Sequence, residues 1–440
     1  MTTYPDLLPI TPVTSPLIGT AHVPGSKSIT NRALALAALA DGPTTLTNAL
    51  FADDTERMMD CLRALGFIVE DNGETSEITV WGRESIPAHD AALFVGNSGT
   101  TARFITPVAA LGHGTFTVDG VPRMRERPMG DLIRALRQLG VDIESLGANG
   151  CPPLRLNAHG LKGGACAIRS DTSSQFLSGL LLASPCADGA ETHIHLDGPI
   201  LSAPYIAITT TMMRQFGGIV TISGDARDFE VRGRQQYQSP NHYAVEPDAS
   251  AASYFFAAAA ITGGRVRVPG IGNDAMQGDA AFVDVLEAMG CTVTRGADFL
   301  EVAGTGGLRG VTVDMNAISD TVMTLAVLAP FASSPTVIEN VAHIRHKETD
   351  RLSAVATELR RLGVRVEERE GGLTIYPSAK ITPATIQTYD DHRMAMAFAL
   401  IGLRAPGVVI ADPKCVAKTF PDYFMRLEKL VAESAALSAE

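Results

Sequence analysis

The hydrophobic pattern of the chain repeats an amphipathic helix that ends at a glycine and leads into a short strand. Apolar residues recur at helical spacing before each glycine in CLRALGFIVE, ALRQLGVDIE, TMMRQFGGIV, VLEAMGCTVT and ELRRLGVRVE. The glycines are Gly66, Gly140, Gly217, Gly290 and Gly363, at spacings of 74, 77, 73 and 73 residues. DYFMRLEKL near the C-terminus fits a sixth copy. The pattern predicts six repeats, each with one surface helix.

A second helix, apolar on nearly every face, precedes each amphipathic helix. The six are GSKSITNRALALAALADG, NSGTTARFITPVAALGHG, TSSQFLSGLLLASPCADG, DASAASYFFAAAAITGG, ISDTVMTLAVLAPFA and YDDHRMAMAFALIGL. Ser, Thr, Asp or Asn residues at their starts suit N-caps. Helices of this kind are buried and need sheets around them. We therefore predict two domains of three repeats each, with sheets around buried helices and a divide near YQSPNHYAVEPD.

The composition indicates a compact protein with excess negative charge. Its 440 residues exceed one ordinary core and suggest two or three domains. Acidic residues outnumber basic ones by 48 to 36, which argues against nucleic acid or an anionic membrane as the main partner. A bound anion must therefore be held by a local cluster of Lys and Arg.

The sequence lacks the features of membrane, exported and metal-binding proteins. No apolar run approaches the roughly 18 residues of a membrane span, and MTTYPDLLPITPVTSPL at the N-terminus has no targeting character. We expect a cytoplasmic protein. The six cysteines have no metal-like spacing, so buried, reduced thiols are expected. Neither a metal-ligand cluster nor a Gly-rich dinucleotide loop predicts a cofactor.

The start of the first buried helix, VPGSKSITNR, departs from a phosphate-binding P-loop. A P-loop has one glycine directly before its lysine and another five positions earlier, where this chain has Ser26 and Ala21. Lys27, Ser28 and Arg32 nevertheless lie within two turns of a helix start, where free N–H groups favour anions. A serine cap with solvated basic residues is the alternative, but the apolar helix beyond favours an anion site.

Hydroxyl, amide and basic side chains also cluster in the second and third repeats. PRMRERP carries three arginines in one loop, where a shared anion and simple solvation both fit the charges. GNSGTTAR offers a turn whose N–H groups suit an anion. Capping explains one serine of TSSQF but not Ser173, Ser174 and Gln175 together. In LSAPY, Ser202 and Tyr205 fit a plain turn.

The fifth and sixth repeats add carboxylates to the basic groups. IRHKETDRL places Lys347 and Arg351 four residues apart on one predicted helical face, where an anion or a surface salt-bridge network would offset their repulsion. Asp320 begins an apolar helix as either its N-cap or a general base. The sixth repeat holds His392, Arg393, Lys414 and Lys418.

Five of the six repeats thus bring cationic or hydroxyl groups to one end of their helices. Side chains gathered in this way suit a large, polyanionic small molecule. We expect its pocket between the two domains.

Seven motifs also resemble those of one enzyme family, in the same order. They are PGSKSITNRAL, GNSGTTAR, PRMRERP, SSQFLS, KETDRL, DDHRMAMA and DPKCVAKTFPDYF. From about residue 8 to 430 the chain is similar to 5-enolpyruvylshikimate-3-phosphate synthases. The resemblance implies an inside-out α/β fold of two domains, each with three βαβαββ units. It also implies that the first strands join the second domain, with domains at 26–245 and at 1–25 plus 246–440 and the active site in the cleft between them.

The resemblance implies a transferase that needs no metal or organic cofactor. It would transfer the enolpyruvyl group of phosphoenolpyruvate to the 5-hydroxyl of 3-phosphoshikimate and release phosphate. This reaction belongs to the shikimate pathway to chorismate and aromatic amino acids, and it is the target of glyphosate. Both substrates are anions, which accounts for basic clusters in an acidic chain. The implied partners are these two small molecules, with no nucleic acid or membrane, and the implied state is a cytoplasmic monomer.

The resemblance also implies roles for individual residues. For 3-phosphoshikimate the implied contacts are Lys27, Ser28, Arg32, Ser173, Ser174, Gln175, Ser202, Asp320, His343 and Lys347. For phosphoenolpyruvate they are Lys27, Gly99, Arg127, Gln175, Arg351, Arg393 and Lys418. In catalysis, Asp320 is the implied proton acceptor, Glu348 the proton donor and Lys27 the group that stabilises charge.

Two positions depart from the family pattern. His343 stands where many members have an asparagine that contacts the shikimate phosphate, although imidazole can also donate a hydrogen bond. Phe104 replaces a common proline. Gly99 is retained and leaves room beside phosphoenolpyruvate, which implies sensitivity to glyphosate.

Two other functions explain part of the pattern. The sister enolpyruvyl transferase that acts on UDP-N-acetylglucosamine shares the fold and donor but typically has a reactive cysteine in the loop matching PRMRERP. In this chain no cysteine lies between Cys61 and Cys151, which counts against that function. A non-catalytic anion-binding protein would explain the basic groups but not Asp320 and Glu348 among them.

Overall fold

Two compact units make up the protein. The computed structural model describes residues 4–169 and 172–439. One unit is Gly25–Val245, here called the continuous unit. The other, called the two-segment unit, combines Met1–Pro24 with Glu246–Glu440. Among the described helices, none has the length and apolar character that a membrane crossing requires.

Helices of two kinds alternate along the described chain. The α-helices are α1 (Lys27–Ala38), α2 (Asp53–Ala64), α3 (Gly99–Ala109), α4 (Gly130–Gln138), α5 (Gln175–Ala183), α6 (Ala203–Gln215), α7 (Ala249–Thr262), α8 (Phe282–Ala288), α9 (Val322–Leu328), α10 (Arg351–Arg361), α11 (His392–Gly402) and α12 (Tyr423–Ala439). Short 3-10 turns lie at Met124–Glu126, Ser184–Cys186, Gly278–Ala281, Asn316–Thr321, Ala329–Phe331, Ala342–His346 and Pro413–Lys418. The odd-numbered helices are almost wholly buried, as their apolar sequences predict.

The glycines that end the amphipathic helices adopt a left-handed backbone conformation. Each lies just beyond its helix with a φ between +78° and +105°, at positions 66, 140, 217, 290 and 363. A glycine adopts this left-handed conformation without the steric cost that a Cβ brings, so it can end a helix and start the strand that follows.

Three sheets enclose the buried helices of the continuous unit. The first has the order Tyr237–Gln238, Ala40–Thr47, Glu77–Gly82, Ile68–Asn72, and His242–Ala244 also pairs with Ala40–Thr47. The second has the order Asp90–Phe94, His113–Asp119, Leu154–His159, Asp142–Ser145. The third has the order Gly164–Arg169, Glu191–Asp197, Asp228–Arg232, Val220–Ile222. Helices α1, α3 and α5 contact one another inside these sheets.

The two-segment unit repeats this plan around α7, α9 and α11, which also contact one another. Its first sheet has the order Thr292–Arg295, Phe299–Ala303, Arg265–Pro269, Ile18–Thr20. Its second has the order Thr312–Asp314, Thr336–Glu339, Gly372–Ile375, Val366–Arg369. Its third has the order Leu7–Pro9, Val408–Ala411, Ala384–Ile386. The α/β architecture with sheets around buried helices, predicted from the repeats, is therefore confirmed.

N-terminal strands complete two sheets of the two-segment unit. Ile18–Thr20 pairs in parallel with Arg265–Pro269. Leu7–Pro9 pairs antiparallel with Val408–Ala411. These pairings bind the first residues of the chain to strands that lie hundreds of residues later.

Two local expectations are wrong. Asp320 does not begin α9, because it lies in the 3-10 turn Asn316–Thr321 and the helix starts at Val322. Lys347 and Arg351 do not share a helical face. The Asp350 side chain accepts a hydrogen bond from the Ser353 N–H and caps α10, so the helix begins only at Arg351.

Candidate active site

Lys27 and Asp54 meet at the start of α1. Lys27 is the first residue of the helix, and its Nζ lies 3.5 Å from Asp54 Oδ2. The Asp54 side chain is only 3% exposed. Thr101 Oγ1 donates to the Asp54 carbonyl oxygen at 3.1 Å, which links α2 to α3. A cation is thus held at a helix N-terminus, where the helix dipole also favours anions.

Arg32 lies one turn further along α1 and is almost fully buried, with 1% of its surface exposed. Its guanidinium donates to Thr209 Oγ1 (2.8 Å), the carbonyl oxygens of Ser28 (2.9 Å) and Tyr205 (3.1 Å), and Ser178 Oγ (3.3 Å). Burial lowers its pKa to about 10, which still leaves it charged at neutral pH. The Phe104 ring centroid lies 5.0 Å from Arg32 Cζ, so this aromatic ring packs on the cation.

Gly99, Arg103 and Arg127 form a second basic cluster at the start of α3. A Cβ at Gly99 would lie 2.3 Å from Arg103 Nη1 and 2.4 Å from Arg127 Nη2, so both guanidinium groups crowd this glycine. Arg127 Nη1 donates to the Asn97 carbonyl oxygen at 2.8 Å. Arg127 is buried, whereas Arg125 is exposed and pairs with a carboxylate. Of the arginines in PRMRERP, Arg127 therefore joins this cluster.

The start of α5 is joined to the start of α3 through Gln175. Gln175 Oε1 accepts from Arg103 Nη1 at 3.0 Å, and its Nε2 donates to Thr100 Oγ1 at 3.0 Å. Gly179 permits this proximity, because a Cβ there would lie 2.2 Å from the Arg103 carbonyl oxygen. Ser173 Oγ accepts from the Gln175 N–H at 3.2 Å.

Ser174 and Ser202 also lie at helix starts. Ser174 is the cap residue of α5 and is buried. Ser202 precedes α6 with φ 49° and ψ 49° and is likewise buried. The left-handed backbone of Ser202 is strained for a residue with a side chain, and such strain is concentrated at functional sites.

Arg351 lies at the centre of an ion-pair network in the two-segment unit. The side chain is 1% exposed and is the first residue of α10. Its Nε donates to Asp391 Oδ2 at 2.8 Å, its Nη1 to Asp320 Oδ1 at 3.1 Å and its Nη2 to Glu348 Oε2 at 2.8 Å. Burial by itself lowers the pKa of Arg351, but the three carboxylates outweigh it and raise the pKa above its ordinary value.

Asp320 connects Arg351 to Arg393. Arg393 Nη2 donates to Asp320 Oδ2 at 2.7 Å, so each carboxylate oxygen of Asp320 accepts from one arginine. Arg393 lies in the first turn of α11, where its backbone N–H donates to Asp391 Oδ1 at 2.9 Å. Its Nη1 lies 3.5 Å from the Tyr254 hydroxyl oxygen.

Glu348 and Lys418 extend the network. Lys418 Nζ lies 3.8 Å from Glu348 Oε1, and both side chains are largely buried. Lys418 ends the 3-10 turn Pro413–Lys418, which packs against α11. Two cations thus contact Glu348, and both favour its ionised form.

His343 and Lys347 lie on the segment before α10. His343 is buried in the 3-10 turn Ala342–His346. Burial, and after it the charge of Lys347, lower the pKa of His343 to about 4. His343 is therefore a neutral imidazole at physiological pH, able to hydrogen bond but carrying no charge.

Three residues that the sequence did not single out belong to these clusters. Asp54 contacts Lys27, Arg103 contacts Gln175 and Asp391 contacts Arg351. Arg103 and Asp391 do lie inside the recognised motifs GNSGTTAR and DDHRMAMA, so their place in those motifs was the available signal. Asp54 lies in the acidic first turn of a surface helix, where a carboxylate is expected for the helix dipole alone.

The two sets of residues have the chemistry that phosphate and carboxylate ligands require. In the continuous unit, the set combines Lys27 and three arginines with helix N-termini and hydroxyls. In the two-segment unit, arginines and a lysine are balanced by carboxylates that can accept or donate protons.

Comparison with known proteins identifies the family. The model of the EPSP synthase (3-phosphoshikimate 1-carboxyvinyltransferase) family matches residues 12–427. A 3-phosphoshikimate 1-carboxyvinyltransferase of Nostoc sp. (strain PCC 7120 / SAG 25.82 / UTEX 2576) is 50% identical over 427 residues, which cover 97% of this chain and 100% of the relative. The enzyme of that name from Serratia proteamaculans (strain 568) is 49% identical, covering 94% of this chain and 96% of the relative.

Solved structures agree with this assignment. An EPSP synthase from Acinetobacter baumannii has a TM-score of 0.80 at 27% identity and covers 96% of this chain and 98% of its own. The enolpyruvyl transferase NikO from Streptomyces tendae shares the fold, with a TM-score of 0.74 at 22% identity over 96% of this chain and 97% of its own. The chain belongs to the EPSP synthase family and is a transferase that moves the enolpyruvyl group of phosphoenolpyruvate to 3-phosphoshikimate in the shikimate pathway.

Proposed function

We propose that residues 26–245 supply the 3-phosphoshikimate side of the site, and that residues 1–25 with 246–440 supply the phosphoenolpyruvate side and the proton-transfer groups. The support is chemical. The continuous unit gathers hydroxyls, an amide and cations at the starts of α1, α5 and α6, which suit the hydroxyls, carboxylate and phosphate of a shikimate ring. The two-segment unit gathers carboxylates with buried cations, as proton transfer beside an anion requires.

The proposed ligands of 3-phosphoshikimate are those that the family resemblance implies, and three of the ten belong to the two-segment unit. They are Lys27, Ser28, Arg32, Ser173, Ser174, Gln175, Ser202, Asp320, His343 and Lys347. Arg32 is held by its hydrogen bonds and by Phe104, so its guanidinium is preorganised for a carboxylate. His343 acts as a neutral hydrogen-bonding partner, because its pKa of about 4 keeps it uncharged.

The proposed ligands of phosphoenolpyruvate are mostly arginines and lysines, and four of the seven belong to the continuous unit. They are Lys27, Gly99, Arg127, Gln175, Arg351, Arg393 and Lys418. Gly99 contributes space, since Arg103 Nη1 and Arg127 Nη2 occupy the position that a side chain would take. Planar guanidinium groups bind carboxylate and phosphate with two parallel hydrogen bonds.

The proposed mechanism is an addition followed by an elimination. The 5-hydroxyl oxygen bonds to C2 of phosphoenolpyruvate as Asp320 accepts the hydroxyl proton and Glu348 protonates C3, which gives a tetrahedral intermediate. The Glu348 carboxylate then takes a proton back from C3 as the C2–O bond to phosphate breaks, and an enol ether and phosphate remain. Lys27 stabilises the negative charge that develops on the phosphate.

Phosphoenolpyruvate competes with Asp320 and Glu348 for the same cations, and this competition changes the affinity of the two carboxyl groups for protons. Asp320 and Glu348 both accept hydrogen bonds from Arg351. Asp320 also contacts Arg393, and Glu348 also contacts Lys418. A phosphoenolpyruvate anion that engages the same cations weakens their hold on the two carboxylates and raises their affinity for protons. Glu348 thereby becomes able to carry the proton that it donates.

The observation that carries this proposal is the arrangement of Asp320 and Glu348 on one buried arginine, Arg351. Incubation with phosphoenolpyruvate and 3-phosphoshikimate should release one phosphate per enol ether formed. UDP-N-acetylglucosamine in place of 3-phosphoshikimate should release none. Phosphate release only with the nucleotide sugar would favour the sister enzyme, and no release with either acceptor would favour a non-catalytic anion-binding protein.

Gly99→Ala should raise the KM for phosphoenolpyruvate by about tenfold, with a smaller change in kcat. The added methyl group would lie 2.3 and 2.4 Å from the Arg103 and Arg127 guanidinium groups, so both must move away from their proposed positions. Steady-state kinetics with phosphoenolpyruvate as the varied substrate measures the effect. Gly224→Ala is the matched control, because a Cβ there meets nothing within 4 Å. Equal KM values for the two variants would contradict the proposed role of Gly99.

We also propose a cytoplasmic monomer. Both proposed residue sets come from one chain, so no partner copy is needed to supply a ligand. The six cysteines are free thiols, as is typical of a reducing compartment. Light scattering after size-exclusion chromatography measures the oligomeric state.

A further inference from the structure

A buried carboxyl group lies beside Asp320 in the two-segment unit. Asp279 belongs to the 3-10 turn Gly278–Ala281 and is 4% exposed. This turn packs against the start of α7 and against the turn Asn316–Thr321, which carries Asp320. Ser250, in the first turn of α7, donates a hydrogen bond from its Oγ to Asp279 Oδ2. The Asp279 carboxyl is therefore fixed in position and removed from water.

The charged groups around Asp279 oppose its ionisation on balance. Asp320 and Asp248 carry like charge, and Arg393 on α11 carries opposite charge. Arg393 is already engaged, since its Nη2 donates to Asp320 Oδ2 at 2.7 Å. Burial first and Asp320 second raise the pKa of Asp279 to about 7, while Arg393 and the Ser250 hydrogen bond lower it.

We propose that Asp279 is a positioning residue for Asp320: it holds the one proton shared by these two carboxyl groups, so that the Asp320 carboxylate carries the charge. Asp320 is the member that can bear the charge, because Arg351 and Arg393 donate to both of its oxygens. Asp279 is the member that can bear the proton, because it is only 4% exposed, whereas the Asp320 side chain is 15% exposed. Two of the three charged groups that act on Asp279, Asp320 and Asp248, are acidic.

Loss of the Asp279 proton has a defined consequence. Two close carboxyl groups titrate in two steps that belong to the pair. The second step adds a negative charge beside Arg393. This charge weakens the attraction of Arg393 for an anionic substrate. Binding of phosphoenolpyruvate should therefore weaken as the pH rises through neutrality, because a group of the protein loses its proton.

The inference rests on the proposed roles of Asp320 and Arg393, and its test uses the full chain. Asp279→Asn imitates the protonated carboxyl and cannot ionise. The ratio of the wild-type KM for phosphoenolpyruvate to that of Asp279→Asn should be near one at about pH 6 and should rise at least roughly threefold by about pH 8.5. The ratio is the quantity to compare, because substrate phosphates also titrate near pH 6 and cancel in it.

Ser250→Ala provides a second variant with a different expected result. The Ser250 hydrogen bond lowers the pKa of Asp279. In Ser250→Ala, the rise in the KM for phosphoenolpyruvate should therefore still occur, but at higher pH than in the wild-type protein. Asp284→Asn, on the exposed face of α8, should reproduce the wild-type profile. A KM ratio for Asp279→Asn that stays constant across the pH range would overturn the inference.

Infrared spectroscopy tests the proton directly and does not depend on activity. The wild-type protein should lose a protonated-carboxyl band with a midpoint near pH 7, and Ser250→Ala should lose it at higher pH. Complete ionisation of all carboxyl groups by about pH 5 in the wild-type protein would overturn the inference even if Asp279→Asn did not fold.

Failure of the proposed function would look different. If Asp320→Asn kept wild-type turnover, the role of Asp320 as proton acceptor would be wrong, whatever the profile of Asp279→Asn. If Asp320→Asn lost turnover and the KM ratio for Asp279→Asn stayed constant, only the inference about Asp279 would be wrong.

Discussion

Lys27→Met should lower kcat by at least about a hundredfold while the protein stays folded. Lys27 Nζ lies at the N-terminus of α1, where its charge and the helix dipole act on the same anion. Methionine has a similar length and no charge, so the substitution removes the electrostatic contribution and leaves most of the packing. Phosphate release from phosphoenolpyruvate and 3-phosphoshikimate measures the effect.

The stability of Lys27→Met depends on Asp54. The ion pair is long at 3.5 Å, and the Lys27 side chain is 12% exposed, so we expect the melting temperature to fall by less than about 4 °C. The double variant Lys27→Met with Asp54→Asn removes both charges and should also be inactive. Recovery of activity in the double variant would show that the unpaired Asp54 charge, rather than the loss of Lys27 from the site, caused the defect. Lys429→Met is the matched control, because the Lys429 side chain on α12 is 74% exposed.

Asp320→Asn should lower kcat by at least about a hundredfold without raising the KM for phosphoenolpyruvate. The amide has nearly the same shape but cannot accept the proton of the 5-hydroxyl. It also no longer competes with substrate anions for Arg351 and Arg393, so the KM should stay constant or fall. Steady-state kinetics at saturating 3-phosphoshikimate separates kcat from KM.

This separation distinguishes a catalytic role from a structural one. If Asp320 only held Arg351 and Arg393 in position, its loss would disorder both arginines and raise the KM. A raised KM with nearly unchanged kcat would therefore contradict the assignment of Asp320 as the proton acceptor. Asp284→Asn should leave both constants unchanged, since its side chain is 62% exposed and pairs only on the surface.

The repeat pattern could be predicted from sequence because its causes are local. A helix that is apolar on every face must be buried, and a glycine beyond a helix end adopts a left-handed backbone, whatever the rest of the chain does. The odd-numbered helices and the glycines at 66, 140, 217, 290 and 363 follow these rules. Side-chain caps were predicted less well. Ser98 and Asp248 cap their helices, but Ser26 makes no capping hydrogen bond.

The candidate site was predicted only in part. The sequence showed cations at the starts of buried helices. It indicated that each has a partner, because a buried charge is costly without one. Which partner each cation takes was not visible. Lys347 and Arg351 were expected on one helical face, and the cap at Asp350 prevents this.

The sequence by itself determined the period of the fold, the burial of its helices and the resemblance that names the reaction. Only the tertiary structure decided that Asp320, Glu348 and Asp391 all contact Arg351, that Phe104 packs on Arg32 and that the turn with Asp279 packs against the turn with Asp320. The physical reason is that some interactions depend on neighbours in the sequence and others on neighbours in space. Helix periodicity and glycine conformation depend on neighbours within a few residues, whereas Arg351 reaches carboxylates 31 and 40 residues away, and charge interactions depend only on distance in space.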